Sequence, residues 1–184
     1  MTSDDPPSVL VVDDESSLAD LYAHWLSDEF DARTAYGGEA ALETVDDDTD
    51  VMLLDRRMPD LSGDAVLERV RQQNHDVLVA MVTAIEPDFD IVDAPCQDYL
   101  VKSIDRSTLT ETVDRLVRLG EYDQKQRELS SKKVRRNVIE VEKTDNELAE
   151  SDAFQRLERE IAALVSELGE LSEEIEYDRI ERRV

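Results

Sequence analysis

"VMLLDRRMPD", residues 51–60, is the stretch on which the reading of this chain turns. Val51, Met52, Leu53 and Leu54 form a short unbroken apolar run that ends on Asp55. A run this short, closed by polar residues and a proline, reads as a strand buried on both faces. A carboxylate carried out of such a strand needs a reason, because an unpaired charge beside a core is costly. The reason lies in what the other strands bring to the same edge.

Comparable runs occur at Val9–Val12, Val77–Val82 and Tyr99–Val101, with a weaker one around Ala32–Ala35. Between them the spacing turns helical. Leu18, Leu21, Tyr22, Trp25 and Leu26 follow i, i+3, i+4, i+7, i+8, one apolar helix face. Ala41, Leu42 and Val45 mark a second helix, Val66, Leu67 and Val70 a third, and Leu109, Val113, Leu116 and Val117 a last one. Continuous apolar strands alternating with helices predict an α/β domain, its parallel sheet covered on both faces.

Each run is followed by chemistry. Asp13 and Asp14 follow the first, Asp55 ends the central one, Thr83 and the small Ala84 follow the fourth, and Lys102 follows the last. In a parallel sheet these ends share one edge, where open α/β sheets place their ligands. Adjacent strands lie ~4.8 Å apart, so three carboxylates, a hydroxyl and an ammonium converge there. Clustered carboxylates raise one another's pKa. A hard cation such as Mg2+ relieves that and keeps places for water and phosphate. The lysine and the hydroxyl suit phosphoryl oxygens. The set fits an aspartate that accepts a phosphoryl group with metal assistance.

"VLVVDDE", "VMLLDRRMPDLSG", "MVTA" and "DYLVK" resemble the motifs of response-regulator receiver domains, the CheY-like fold, over roughly residues 7–119. The resemblance implies a doubly wound, flavodoxin-like sheet of five parallel strands in the order 2-1-3-4-5. It implies that Asp55 is the phosphoacceptor, that Asp13 and Asp14 hold Mg2+ with it, and that the Arg57 backbone carbonyl completes the protein ligands. Thr83, Ala84 and Lys102 would bind the phosphoryl group, and Tyr99 would be the aromatic switch residue that turns inward when Thr83 moves. The phosphodonor would be a sensor histidine kinase. No enzymatic turnover is expected, since hydrolases with an aspartyl phosphate usually carry a second Asp two residues on, where this chain has Arg57. A receiver that is never phosphorylated and acts as a scaffold is the alternative, although none of the five site residues is missing.

Three departures from the pattern matter. Ser103 stands where a proline usually follows the lysine. Arg57 is large and charged, and would reach over the phosphoryl group. The segment from Thr83 to Lys102 is short, leaving only "PDFDIVD" for a fourth helix from Pro87 to before Pro95, with Phe89, Ile91 and Val92 as anchors of a reduced output face.

Composition narrows the setting. The 184 residues carry 46 acidic and 21 basic side chains, a net charge of −25, and only five lysines. Such repulsion destabilises a compact chain in dilute salt but counts for little where the Debye length is ~3 Å, near molar salt. The balance predicts a protein that works in molar salt, and argues against non-specific nucleic-acid binding. The acidic N-terminus lacks the pattern of a signal peptide, and the longest apolar run, Val77–Val82, is far too short for a membrane span. A cytoplasmic location is expected. Cys96 is alone, and His24 and His75 have no metal-ligand spacing.

After Gly120 no strand run or proline remains, so residues 120–184 read as a separate helical module. Together with the acidic receiver motifs, this charged tail resembles haloarchaeal regulators carrying a HalX domain, a module whose role the resemblance does not settle. Output would pass to an unknown protein, transcription being one outcome, with direct DNA binding not favoured. Phe154, Leu157, Ile161, Leu164, Leu168, Leu171 and Ile175 repeat at coiled-coil spacing. Residues 121–143 are net +2 and residues 144–184 net −8. The expectation is an antiparallel helical hairpin turning near Thr144–Ser151. Val134, Val138 and Val141 would give the first helix its apolar stripe, and Lys132, Lys133, Arg135 and Arg136 would lie near glutamates. Apolar surface left over would dock on a partner or on a second copy, a homodimer through the C-terminal helices.

Overall fold

The computed structural model describes residues 5–84 and 95–181. The chain divides into two units, residues 1–117 and 118–184. In the first, β1 (Ser8–Val12), α1 (Ser16–Leu26), β2 (Asp31–Ala35), α2 (Gly38–Thr44), β3 (Val51–Asp55), α3 (Gly63–Gln72), β4 (Leu78–Thr83) and β5 (Asp98–Val101) follow in order. All strand pairs are parallel, in the order β2-β1-β3-β4-β5. The helix α4 (Arg106–Glu142) supplies the last helical turns of this unit and the first helix of the second. The fourth helix expected from Pro87, with Phe89, Ile91 and Val92, lies outside the described residues.

The central strands explain the fold's solidity. Every residue of β3 and β4 is buried, as unbroken apolar runs demand when helices cover both sheet faces. Alternation sends Leu10, Val12, Met52, Leu54, Val79 and Met81 into one core with Val66, Leu67 and Val70 of α3 and Ala41 of α2. Burying each such side chain contributes roughly 1.5–3 kcal/mol. Val9, Val11, Ala19, Leu26, Leu109, Val113 and Leu116 are buried as well. Ser62 caps α3 by accepting from the Ala65 N–H at 3.3 Å. Asp105 caps α4 by accepting from the Thr108 N–H at 2.9 Å.

The second unit contains the rest of α4, α5 (Asp145–Glu150) and α6 (Asp152–Glu181). Gly120 does not break α4, since a glycine costs a helix only ~1 kcal/mol and no proline is near. Lys132 bonds Glu160 at 2.7 Å, Lys125 bonds Glu167, and Arg136 approaches Glu158, so α4 and α6 run antiparallel. Phe154, Ile161, Leu164 and Leu168 of the predicted seam are buried, and the last three pack with Leu129 against Tyr122 and Leu157. The turn contains α5, opened by Glu147, whose carboxylate accepts from the Thr144 N–H at 3.0 Å and its hydroxyl at 2.9 Å.

The predicted valine stripe is a correction. Val134, Val138 and Val141 are 62%, 61% and 83% exposed. The seam belongs instead to Leu129 and Tyr122. At about 100° per residue, Val138 lies half a turn from Leu129, and the other two valines fall close to it. Lys133 and Arg135 are exposed as well, without ion pairs among the described residues, while Lys132 and Arg136 meet glutamates as expected. No described helix is long and apolar enough to cross a membrane.

Candidate functional site

Sheet register places the chemistry. Val12 pairs with Leu54, so Asp13 comes level with Asp55. Asp55 pairs with Val82, and Thr83 with Val101, which puts Thr83 and Lys102 just beyond the same edge. Backbone bonds extend the ladder past the strands. The Asp13 N–H donates to the Ala35 carbonyl at 3.2 Å, the Arg56 N–H to Val82 at 2.9 Å and the Lys102 N–H to Thr83 at 2.7 Å. These side chains therefore stand on main chain fixed by the sheet.

Asp13 and Asp55 are buried, whereas Asp14 is exposed. One carboxylate oxygen from each lies within 4.8 Å of the others. The Lys102 Nζ donates to Asp13 Oδ2 at 2.6 Å and to Asp55 Oδ2 at 2.9 Å. Asp13 Oδ1 also accepts from the Glu15 N–H at 2.9 Å, and Asp55 Oδ1 from the Arg57 N–H at 3.2 Å. Burial pushes the Asp55 carboxyl above the usual carboxylate range, against the pull of its bond from Lys102. Burial also works against the charge of Lys102, but its hydrogen bonds to Asp13 and Asp55 outweigh that and raise its pKa. This pocket holds its cation tightly and keeps one carboxylate reluctant to ionise.

Gly63 opens α3 directly over the strand end, and a Cβ there would lie 2.3 Å from the Asp55 carbonyl oxygen. The Gly63 N–H donates to the Arg56 carbonyl at 3.0 Å, which closes the loop over residues 57–62. Met58 is buried in the core below. The side chain of Arg57 is exposed, as is Ala84, while Thr83 is buried at the end of β4. The Lys102–Ser103 peptide bond is cis.

The place of Arg56 was not legible in the sequence. Its guanidinium lies 5.9 Å from the centre of the Tyr99 ring and bonds Asp64 Oδ2 at 3.0 Å. It links the residue after Asp55 to the aromatic ring of β5 and to the first turn of α3. The only signal in the sequence was an arginine next to Asp55 with an acid on the following helix. Tyr22, read only as part of a helix face, is buried close enough to feel Asp13, Asp55 and Lys102, and burial raises its hydroxyl pKa.

The donor set fits Mg2+. Three carboxylate oxygens converge with no nitrogen or sulfur ligand among the described residues, and hard oxygen donors are what that ion takes. Bound there by Asp13, Asp14 and Asp55, it would supply positive charge facing an incoming phosphoryl group.

Comparison with known proteins identifies the family. Residues 9–114 match the model of the response regulator receiver domain, and residues 118–184 that of the HalX domain. A longer protein of Haloferax volcanii, provisionally named a transcriptional regulator, is 44% identical over 178 residues, covering 95% of this chain and 30% of that protein. The chain thus spans less than a third of that relative's length. Among solved structures, the signal receiver domain of a Vibrio parahaemolyticus protein provisionally named a Luxo repressor superposes with a TM-score of 0.60 at 26% identity, covering 65% of this chain and 95% of that one. The Thermotoga maritima response regulator TrrA, solved with Mg2+ and a beryllofluoride, gives 0.51 at 29% identity over 60% of this chain and 98% of that one. With a receiver match over more than half its length, a sheet in the order 2-1-3-4-5 and a HalX match beyond it, this chain belongs to the response-regulator receiver family.

Proposed function

We propose that this chain is a two-component response regulator whose Asp55 takes a phosphoryl group from the phosphohistidine of a partner sensor kinase. The observation that carries the reading is Lys102, whose ammonium bridges Asp13 and Asp55 at the sheet edge beside Asp14. Residues 7–119 act as the receiver and residues 120–184 as the helical output module. Asp13 and Asp14, with Asp55 and the Arg57 carbonyl, hold Mg2+; TrrA, a relative in fold, was solved with Mg2+ and a beryllofluoride.

The residues of the chain divide the work. An Asp55 oxygen forms the bond to phosphorus as the nitrogen–phosphorus bond of the donor histidine breaks, and the leaving imidazole takes up a proton. Lys102 offsets part of the cost of ionising buried Asp55, then follows the new negative charge onto the phosphoryl oxygens. The Thr83 hydroxyl and the Ala84 N–H donate to another of those oxygens. As Thr83 moves toward the phosphoryl group, Tyr99 turns inward, and leaving its place beside Arg56 signals the change outward. The chain works in the cytoplasm without turnover of its own. It passes the signal through its C-terminal helices to another protein, and transcription is one outcome, given the provisional name of the Haloferax volcanii relative.

The test is labelling with acetyl phosphate and Mg2+ in molar KCl, read by intact-mass spectrometry. One phosphoryl group per chain is expected, and none on Asp55→Ala. No labelling of the wild-type chain would favour the scaffold that acts without phosphorylation, and release of many phosphates per minute would favour a hydrolase.

A further inference from the structure

The hairpin uses one side of α4 and leaves the other bare. Leu129 and Tyr122 face α6, whereas Val134, Val138 and Val141 stand exposed on the opposite side. Three β-branched residues at 4-3 spacing on solvent are the pattern of a coiled-coil seam. Extended backward, the same seam passes Ser131 and Arg127 and then loses its apolar character.

The charges on its flank indicate the occupant. Arg135 and Glu142 lie on the same flank of this stripe, seven residues apart. Both are exposed, and neither forms an ion pair among the described residues. A stripe that carries one charge of each sign along one flank is complementary to itself when reversed. We propose that the outer face of α4 pairs with the same face of a second copy of this chain, the two helices antiparallel. Val138 of each packs on Val141 of the other, and Arg135 of each faces Glu142 of the other.

Other arrangements fit less well. A parallel pair would set Arg127 against Arg127 in the seam and leave Arg135 and Glu142 facing Ser130 and Asn137. A nucleic-acid backbone would want cations at the centre of the face, where the valines are, and would meet Glu142 beside them. The overall charge of −25 opposes association in dilute buffer, and molar salt screens it. The seam is short, so the pair is weaker than interfaces that bury roughly 1,200–2,000 Å², and its population depends on concentration. The inference does not depend on the chemistry of Asp55.

Sedimentation of the full chain in molar KCl over a range of concentrations tests it. A shift from monomer to dimer is expected, and Val138→Glu, a change at an exposed site, should hold the chain monomeric while acetyl phosphate labelling stays as in the wild type. A wild-type chain that is monomeric throughout, including one that instead shifts on duplex DNA, would overturn the proposal, as would a dimer indifferent to Val138→Glu. Disulfide trapping reads the direction. In a Cys96→Ala background, chains with Val138→Cys mixed with chains with Val141→Cys should cross-link to each other more than to themselves, because the bond needs Cβ atoms ~3.5–4.5 Å apart. Cross-linking of like with like would overturn the antiparallel register.

Discussion

In the first unit, every residue of β3 and β4 is buried; in the second, which takes α4 only from Arg118 onward, the described apolar side chains buried are Leu129, Phe154, Ile161, Leu164 and Leu168. A sheet packed on both faces fixes its strand ends from several directions at once. That is what a site needs when Lys102 must reach two carboxylates at 2.6 and 2.9 Å. A hairpin held along one seam fixes much less. It leaves a long helix surface free, and Val134, Val138 and Val141 show that this surface is not all polar. One unit is built to hold atoms still, and the other to offer a face.

The sharpest way to break the comparison is to remove comparable side chains from each core. Leu54→Ala, beneath the site, should cost the first unit ~2–5 kcal/mol in chemical unfolding. Leu164→Ala should lie near the low end of that range, ~2 kcal/mol, because fewer groups surround it. Trp25 of α1, the only tryptophan, reports the first unit by fluorescence while circular dichroism follows the helices. Equal losses on both probes for both variants would show that the units unfold as one.

A second effect belongs to the first unit alone. Saturating Mg2+ should raise the melting temperature in molar KCl, by linkage worth ~2.7 kcal/mol at a hundredfold excess over Kd. Asp13→Asn should remove most of that gain. Insensitivity of the wild-type chain would mean that the three carboxylates do not act as one site.

Smaller still is the dependence on pH without metal. Burial raises the Asp55 pKa from its ordinary 3.8. The fold therefore binds this proton more readily than the unfolded chain does, and stability falls as pH rises from 3.8 through the higher folded value. Asp55→Asn should flatten that slope in melting curves recorded against pH. Glu147 behaves in the opposite sense. The Thr144 N–H holds it down to about 2, so its contribution to the hairpin turn is present above its ordinary 4.5 and fades as pH falls toward 2. Helicity lost first at acid pH in wild type, and not in Glu147→Gln, would identify the turn.

The smallest effect should come from Lys132→Ala and Lys125→Ala. Both bond glutamates of α6, but exposed pairs contribute little and molar salt screens them further. A large loss from either would show that charge, not the apolar seam, holds the hairpin.

How much of this was readable beforehand differs between the units. In the first, the placement of Asp13, Asp14, Asp55, Thr83 and Lys102 at one edge was readable because each lies at or just past the end of a run of strand residues, and a parallel sheet gathers such ends without further information. Arg56 was not, because its place over Tyr99 depends on how β5 and α3 pass the loop after Asp55. In the second, spacing identified Ile161, Leu164 and Leu168 correctly. It misassigned Val134, Val138 and Val141, since a periodic stripe shows that a face exists and not which neighbour it meets. Gly120 marked a change of composition, yet α4 runs through it.

The sequence by itself determined the alternation of strand and helix, the edge at which the acids and Lys102 meet, and the antiparallel hairpin. These follow from local periodicity and from the geometry that every parallel sheet and heptad seam shares. Only the tertiary structure decided that Lys102 bridges Asp13 and Asp55, that Arg56 takes the Tyr99 ring, and that α4 turns Leu129 rather than its valines toward α6. Those choices depend on the rotation of one packed element against another, and periodicity along a single element leaves that rotation open.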